Sequence, residues 1–372
     1  MKRIYVVAGE MSGDAHAAGL LRELRAMVPD LEIRGAGGPE MKEVSGGLTK
    51  DWVEAAAVMG IIEVLKRYDW FKERFAEMLI EAEKFAPDVL LLVDYPGFNL
   101  RFANAIRKEH PNTRLIYYIS PQVWAWNKRR IPKMATLLDE MLCLFPFEKP
   151  IFENAGLKTT HVGHPLVDEL AEEKIDVARE KKLVGLFPGS REREIAQLFP
   201  MMLGTATLLR EWRTDLRFEV PAATPMLARI MREMISESGA EDWITLTDGG
   251  SHALMQRATC GIIASGTATL EAASFGLPYC LVYRMADTTY FLGKLLVKID
   301  YIGLVNILAG EKVVEEFIQA DASPEKVGAW VKEILSDDTA REALMQQLGE
   351  VSAKLGDPGT HRRAAERVAE WL

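Results

Sequence analysis

The chain has 372 residues and a net charge of −9, with 48% hydrophobic and 27% charged residues. Its length suits two domains, its composition is that of a water-soluble globular protein, and its charge argues against general nucleic-acid binding. Three separated cysteines in apolar runs predict buried free thiols in a reducing compartment, the cytoplasm. No cysteine or histidine spacing suits a metal, so we expect no metal and no other cofactor. We find no secretory signal and no run long enough to span a membrane.

Apolar runs alternate with helical stretches along almost the whole chain. Runs of this kind are typical of buried parallel strands in doubly wound α/β sheets, which bind ligands at the carboxyl ends of their strands. The predicted strands are Ile4–Ala8, Val89–Val93, Leu115–Ile119, Met141–Leu144, Leu183–Phe187, Phe218–Val220, Ile244–Leu246, Gly261–Ala264 and Tyr279–Val282.

Glycine and proline in the segment 162–166 mark a linker between two domains. We therefore predict an N-terminal domain over 1–164 and a C-terminal domain over 165–335. The remaining residues, 336–372, are charged and predicted to be helical, and they could pack back on the N-terminal domain. Two Rossmann-like domains facing each other across a cleft resemble the two-domain glycosyltransferase architecture, GT-B, with C-terminal helices added.

The first predicted strand ends in a turn that carries glycines and titratable groups. The glycines allow close backbone approach to a ligand. Asp14 is predicted to cap the helix that follows, and His16 to lie on that helix or behind the site. The turn consists of Gly9, Glu10, Met11, Ser12, Gly13 and Asp14.

One long helix is predicted over residues 58–84, and its two faces differ. The face formed by Ile62, Lys66, Trp70 and Arg74 mixes bulky apolar and basic groups, which suits either a solvated face or an anionic membrane surface. The opposite face is an apolar stripe whose simplest role is core packing. That stripe comprises Ile61, Val64, Leu65, Tyr68, Phe71, Phe75, Met78, Leu79 and Ala82.

Asp94 directly follows the apolar run Val89–Val93 and precedes a Pro-Gly turn. At the carboxyl end of a buried strand its carboxylate would face the ligand. One interpretation is a cap for the next helix. The other is a general base whose pKa is raised by apolar neighbours and which takes a proton from a sugar hydroxyl.

Two tryptophans, Trp124 and Trp126, follow the predicted strand Leu115–Ile119 and precede the cations of 128–130. Aromatic rings beside cations could hold a sugar and a phosphate. The alternative is a helix that packs on the sheet through its tryptophans. With this stretch and the two preceding loops, the predicted acceptor-binding residues are Ser12, Gly13, Asn99, Gln122, Trp124 and Trp126.

Two loops in the second half have the form of a strand, a small-residue turn and a helix start, and neither is a P-loop or a dinucleotide fingerprint. Helix N-termini favour phosphate, and the Arg191 guanidinium suits a diphosphate. Glu271, one helical turn beyond Thr267, could accept hydrogen bonds from a ribose diol. The predicted nucleotide-binding residues here are Gly189, Ser190, Arg191, Ser265, Gly266, Thr267 and Glu271.

Nine motifs between Ala8 and Gly310 together resemble the lipid-A-disaccharide synthase family. VWAW and SGTATLE are the most specific of them. The motifs are AGEMSGD (8–14), VMGIIEVL (58–65), DYPGFN (94–99), YISPQVWAW (118–126), FPFEK (145–149), VGHP (162–165), LFPGSR (186–191), ASGTATLE (264–271) and LVNILAG (304–310).

The resemblance implies an inverting transfer of 2,3-diacylglucosamine from UDP-2,3-diacylglucosamine to 2,3-diacylglucosamine 1-phosphate, called lipid X. The products are a β(1→6) disaccharide 1-phosphate and UDP. The resemblance also implies peripheral association with the cytoplasmic face of the anionic inner membrane, and a homodimer is one assembly to test. The family residues match Glu10, Ser12, Asp94, Arg191 and Asn306, and the family's membrane patch matches Ile62, Val64, Leu65, Tyr68 and Phe71.

Inversion requires a base on the acceptor hydroxyl and stabilisation of the departing UDP. Asp94 can be the base, with Glu10 or His16 as alternatives, while Arg191 and two helix N-termini can neutralise the diphosphate without a metal. Two other functions stay open. One is a UDP-sugar 2-epimerase, and the other is a non-catalytic regulator that binds UDP-sugars at a membrane surface.

Overall fold

A computed structural model describes residues 1–56, 67–285 and 300–372, and these form two parallel sheets surrounded by helices. The strands are β1 Lys2–Ala8, β2 Leu31–Gly37, β3 Thr49–Asp51, β4 Val89–Val93, β5 Arg114–Tyr118, β6 Glu140–Cys143, β7 Thr159–His161, β8 Glu180–Phe187, β9 Arg217–Ala222, β10 Ile244–Asp248, β11 Ala258–Ala264, β12 Tyr279–Tyr283 and β13 Glu316–Ile318.

The helices within these ranges connect the strands or follow the last one, with a short 3₁₀ turn at Gln319–Asp321. They are α1 Met11–Met27, α2 Pro39–Val44, α3 Val53–Ala56, α4 Tyr68–Phe85, α5 Pro96–Glu109, α6 Val123–Trp126, α7 Arg130–Leu137, α8 Glu148–Glu153, α9 Leu166–Glu172, α10 Glu192–Trp212, α11 Pro225–Glu237, α12 Ser251–Arg257, α13 Ala268–Ser274, α14 Leu304–Ala309, α15 Pro324–Ser336, α16 Asp338–Ala353 and α17 Thr360–Ala369.

The chain divides into two compact units, 1–165 with 355–372, and 166–354. Unit 1 has the strand order β3-β2-β1-β4-β5-β6-β7, and unit 2 has the order β10-β9-β8-β11-β12-β13. Both are doubly wound orders, in which the chain extends the sheet first to one side and then to the other. The predicted α/β class with two such sheets is therefore confirmed. The segment 336–372 is shared between the units, since α16 belongs to unit 2 and α17 packs on α1 in unit 1.

The predicted strands are all present, with boundary shifts of a few residues. Val89–Val93 is matched as predicted, whereas β5 ends one residue early because Ile119 has a left-handed φ of 66°. Strands β2, β3, β7 and β13 were not predicted. Three of them have only three residues, and β2 carries charges and glycines that hide its apolar pattern. The three cysteines are buried free thiols, as predicted.

Helix α4 differs from the long helix predicted over 58–84. It begins at Tyr68, while Ile61, Ile62, Val64 and Leu65 lie outside the described residues. Met78 and Ala82 are buried as expected, but Tyr68 is exposed.

Trp70, predicted on an exposed face, is partly buried. Its ring stacks on that of Trp52, with centroids 6.1 Å apart, and it packs against the core cluster of unit 1. The helical periodicity predicted an exposed position, but the free energy gained by packing a tryptophan ring against other aromatic rings favours partial burial.

Asp14 caps helix α2 and not α1, the helix in which it lies. Helix α1 begins at Met11, so Asp14 lies in its first turn, fully buried. Its carboxylate accepts hydrogen bonds from the backbone N–H groups of Gly38, Glu40 and Met41, at 2.7, 3.0 and 3.1 Å. These are orphan donors at the start of α2, which a carboxylate satisfies well. The predicted cap of α1 is therefore corrected.

Candidate functional site

The loops after β1 and β4 lie side by side at the carboxyl edge of the unit 1 sheet. The two strands are neighbours, and Ala8 pairs with Val93. Glu10 and Asp94 therefore follow paired strand ends at the point where the strand order reverses. Such points are where open α/β sheets bind ligands.

The backbone at Asp94 is held in a left-handed conformation with φ 44°. Its N–H donates to the Tyr118 carbonyl at 3.0 Å, and its carbonyl accepts from Asn99 Nδ2 at 2.7 Å and from the Tyr117 hydroxyl. A non-glycine residue adopts this conformation at a cost of about 1–3 kcal/mol, so these bonds must hold it. The N-cap of α5 is Tyr95, so the interpretation of Asp94 as a helix cap is wrong.

The pKa of Asp94 is raised to about 6. Burial is the largest cause and the charge of the neighbouring Glu10 carboxylate the second, while a backbone hydrogen bond at Tyr95 acts in the opposite direction. A carboxylate with this pKa is charged at neutral pH and more basic than an ordinary aspartate, which suits a general base. Glu10 itself is exposed. A Cβ at Gly9 would lie 2.3 Å from the Tyr95 ring, so glycine is what lets the two loops approach.

His16 lies in a different environment. Its ring is 5.8 Å from that of His361 in α17, and burial, followed by the charge of His361, lowers its pKa to about 4. An imidazole with this pKa is neutral at pH 7 and a weak base. Between the two candidates, the environment favours Asp94 over His16.

Three predicted acceptor residues are buried in the structure, and their contact with an acceptor stays a prediction. Gly13 is buried inside α1. Asn99 is fully buried, and its amide holds the Asp94 carbonyl rather than a ligand. Trp124 is 6% exposed and donates from Nε1 to Glu148 at 3.0 Å, as in the alternative of a tryptophan packed on the sheet.

The remaining predicted acceptor residues are accessible. Ser12 and Gln122 are exposed, and Trp126 is 48% exposed. The Arg130 guanidinium lies 5.0 Å from the centre of the Trp126 ring. A flat apolar ring beside a fixed cation is a surface that can contact both a sugar and a phosphate.

A pocket of about 630 Å³ opens at the carboxyl edge of the unit 2 sheet. The loops after β8 and β11 meet there, because these strands are neighbours and Phe187 pairs with Ile263. Seven of the eight predicted nucleotide-binding residues line it, namely Gly189, Ser190, Arg191, Ser265, Gly266, Thr267 and Glu271.

Arg191 stands at the N-cap of α10, exposed at the pocket mouth. Its Nη1 lies 3.0 Å from Glu194 Oε1. Gly189 has a φ of +107°, and a Cβ there would lie 2.3 Å from Glu194 Oε2. The loop therefore requires glycine, and Glu194 holds the guanidinium beside the turn where an anion would bind.

The eighth residue, Asn306, does not line this pocket. It is fully buried, and its Nδ2 donates to the Val314 carbonyl and to Glu316 Oε1 at 2.9 and 2.8 Å. Its Oδ1 accepts from the N–H groups of Val313 and Val314. The amide is saturated within the protein, which gives Asn306 a structural role here, and its direct binding of the nucleotide stays a prediction.

Part of the pocket lining was not predicted from the sequence. It comprises the turn at 249–250 after β10, the first residues of α12 (251–253), residues 221–223 at the end of β9, and Glu173. In α12, His252 Nε2 lies 3.3 Å from Glu271 Oε2. The Gly-Gly pair at 249–250 after an apolar run was the signal, since it repeats the strand and small-residue turn of the other two loops.

A family model described as Lipid-A-disaccharide synthetase matches residues 4–368. The chain belongs to this family. The lipid-A-disaccharide synthase of Geobacter sulfurreducens is 40% identical, covering 100% of this chain and 97% of its own. That of Persephonella marina is 37% identical, covering 100% and 99%. Lipid-A-disaccharide synthases are glycosyltransferases, and neither the epimerase nor the regulator interpretation has better support.

Solved structures with low sequence identity share the fold of this synthase family member. A UDP-GlcNAc 2-epimerase from Neisseria meningitidis bound to UDP-GlcNAc aligns with a TM-score of 0.64 at 12% identity, covering 100% of both chains. The calicheamicin glycosyltransferase aligns with a TM-score of 0.59 at 12% identity, covering 100% of this chain and 98% of its own. At these identities the likeness shows the two-domain fold and does not decide between the two activities.

Two other kinds of site are absent from the part of the chain that the structure describes. No helix there is both long and apolar enough to cross a bilayer. No group of three or more His, Cys, Asp or Glu side chains there has a metal-binding arrangement.

Proposed function

We propose that this protein transfers 2,3-diacylglucosamine from UDP-2,3-diacylglucosamine to 2,3-diacylglucosamine 1-phosphate, forming a β(1→6) disaccharide and UDP. The observation that carries the proposal is Asp94. It is a carboxylate at the strand-order reversal of a sheet in a glycosyltransferase family member, with its pKa raised to about 6. Inverting transfer needs a base of this kind.

In the proposed reaction Asp94 removes the proton from the acceptor 6-hydroxyl as that oxygen attacks the sugar anomeric carbon. The bond from this carbon to the UDP oxygen breaks on the opposite face, which inverts the configuration. Trp126 and Arg130 supply a ring and a cation for the acceptor sugar and its phosphate, with Ser12 and Gln122 as exposed hydrogen-bonding groups.

In unit 2 the proposal places UDP in the 630 Å³ pocket. Arg191 and the N–H groups of the turn at Gly189 and Ser190 would face the diphosphate, whose charge grows as the bond breaks. The turn at 265–267 would provide a second set of N–H groups. Glu271 would accept hydrogen bonds from the ribose hydroxyls.

The direct test is incubation with the two lipid substrates and detection of UDP and disaccharide. We expect equimolar products with the β configuration at the new bond, and persistence of the reaction in excess EDTA, since cationic and N–H groups neutralise the diphosphate. Release of UDP without disaccharide would contradict the transfer. Loss of activity in EDTA that Mg²⁺ restores would contradict a metal-free mechanism.

We further propose that the protein binds anionic bilayers peripherally through the segment 58–74, because both proposed substrates carry fatty chains. Ile62, Val64 and Leu65 of this segment lie outside the described residues. Of the others, Tyr68 is 54% exposed and Lys72 follows it one helical turn later on the same exposed row of α4. An aromatic ring beside a cation suits the interface of an anionic membrane.

The double variant Tyr68→Ser, Lys72→Glu is expected to bind phosphatidylglycerol vesicles several-fold more weakly, with UDP affinity and thermal unfolding unchanged. Each basic group near such a surface contributes about 1 kcal/mol, and this part weakens with salt. Ile80→Ser is the control for loss of an exposed apolar group, since Ile80 is similarly exposed about 18 Å further along the helix. Full vesicle binding by the double variant, or an equal loss with Ile80→Ser, would place the contact elsewhere.

A further inference from the structure

His252 lies between two carboxylates on the wall of the unit 2 pocket. Its Nε2 is 3.3 Å from Glu271 Oε2, and its Nδ1 is 3.8 Å from Glu173 Oε2. A carboxylate only accepts hydrogen bonds, so the contact with Glu271 is favourable when Nε2 carries the proton. The side chains of His252 and Glu271 are 31% and 19% exposed, so both are partly shielded while remaining open to the pocket.

The backbone of His252 is anchored and its ring is packed against a neighbouring ring. Its main-chain carbonyl accepts from Gln256 Nε2 at 3.1 Å, and the same nitrogen donates to the Glu173 carbonyl at 2.9 Å. The Phe275 ring packs against the His252 ring, with centroids 5.5 Å apart. Gln256 is buried, so it links the backbones of His252 and Glu173 from within the protein.

We propose that His252 is a positioning residue that holds the Glu271 carboxylate in place to accept the two hydroxyls of a ribose. A free glutamate side chain has three rotatable bonds, and a hydrogen bond from a packed ring removes part of that freedom before the ligand arrives. The oxygen facing away from His252 and the remaining lone pairs stay available to the diol. This inference rests on the proposed UDP site and adds the residue that gives it selectivity for the ribose.

The test compares UDP with 2′,3′-dideoxy-UDP by calorimetry. His252→Ala is expected to weaken UDP binding about five- to tenfold, in line with one hydrogen bond to a partly shielded charge, and to leave the affinity for dideoxy-UDP unchanged. His252→Gln is expected to restore most of the UDP affinity, because its amide can donate from a similar position. This variant also keeps the test valid if His252→Ala folds poorly.

Two outcomes would overturn the role of His252: equal losses for both nucleotides, or no loss for UDP. In a Glu271→Ala background the His252→Ala change should add nothing. If Glu271→Ala keeps the normal preference for UDP over dideoxy-UDP, the ribose assignment itself fails, whatever His252 does. His110→Ala, in unit 1, is the matched control and should leave both affinities unchanged.

Discussion

Asp94→Asn is expected to lower turnover about 10²–10⁴-fold while the fold and the affinity for UDP are kept. The amide has nearly the shape of the carboxylate and can occupy the same backbone conformation, which asparagine tolerates well. It cannot take a proton from the acceptor hydroxyl. Steady-state rates with both lipid substrates, together with calorimetry for UDP, measure the two effects separately. Near-normal turnover would show that the base is another group.

The pH dependence of the wild-type rate gives a second check on Asp94. A base is active when deprotonated, so kcat/KM should fall as the pH drops through about 6, the value to which burial and Glu10 raise the pKa of Asp94. Glu10→Gln removes the second cause, so the midpoint should move to lower pH with much of the rate retained. His16→Ala should leave the midpoint unchanged. Loss of rate in His16→Ala comparable with that of Asp94→Asn would favour His16 as the base.

Arg191→Ala is expected to weaken UDP binding by roughly 1.5–3 kcal/mol, about 10- to 150-fold, and to slow turnover. The reason is loss of the guanidinium at the pocket mouth, next to the turn at Gly189. Because the free side chain is exposed and paired with Glu194, the lower end of that range is the better expectation. Calorimetry with UDP measures the loss.

Two further variants distinguish the contact made by the Arg191 guanidinium from the effect of its positive charge alone. Arg193→Ala removes the same charge two residues along α10, from an exposed side chain that is not among the pocket residues, and should leave UDP affinity nearly unchanged. Arg191→Lys keeps the charge without the fork and should fall between wild type and alanine. Equal effects of Arg191→Ala and Arg193→Ala on UDP affinity would show that Arg191 acts through long-range electrostatic attraction and not through a direct contact with the diphosphate.

The strand-end loops could be predicted from the sequence because their signals are local. An apolar run that ends in small residues and leads into a helix needs only about ten neighbouring residues to be recognised. Parallel sheets then place such ends along one edge, which is how Arg191 and Glu271 came to line one pocket. The position of Asp94 after Val89–Val93 is of the same kind.

The directions of individual polar side chains were decided by the tertiary structure. The Asn99 amide could bind a ligand or satisfy buried backbone groups, and one of its partners is the Val7 carbonyl, 92 residues earlier. Asp14 likewise meets N–H groups 24 to 27 residues away. No local pattern encodes these distant contacts.

The motifs of the sequence by themselves determined the α/β class, the two doubly wound sheets and the family. The tertiary structure alone decided that Trp70 packs against the core, that Trp124 is buried, and that His252 of helix α12 meets Glu271, nineteen residues later. The physical reason is that short-range patterns follow from backbone geometry and apolar periodicity. The free energy that places a polar or aromatic side chain depends instead on whichever groups the fold brings around it.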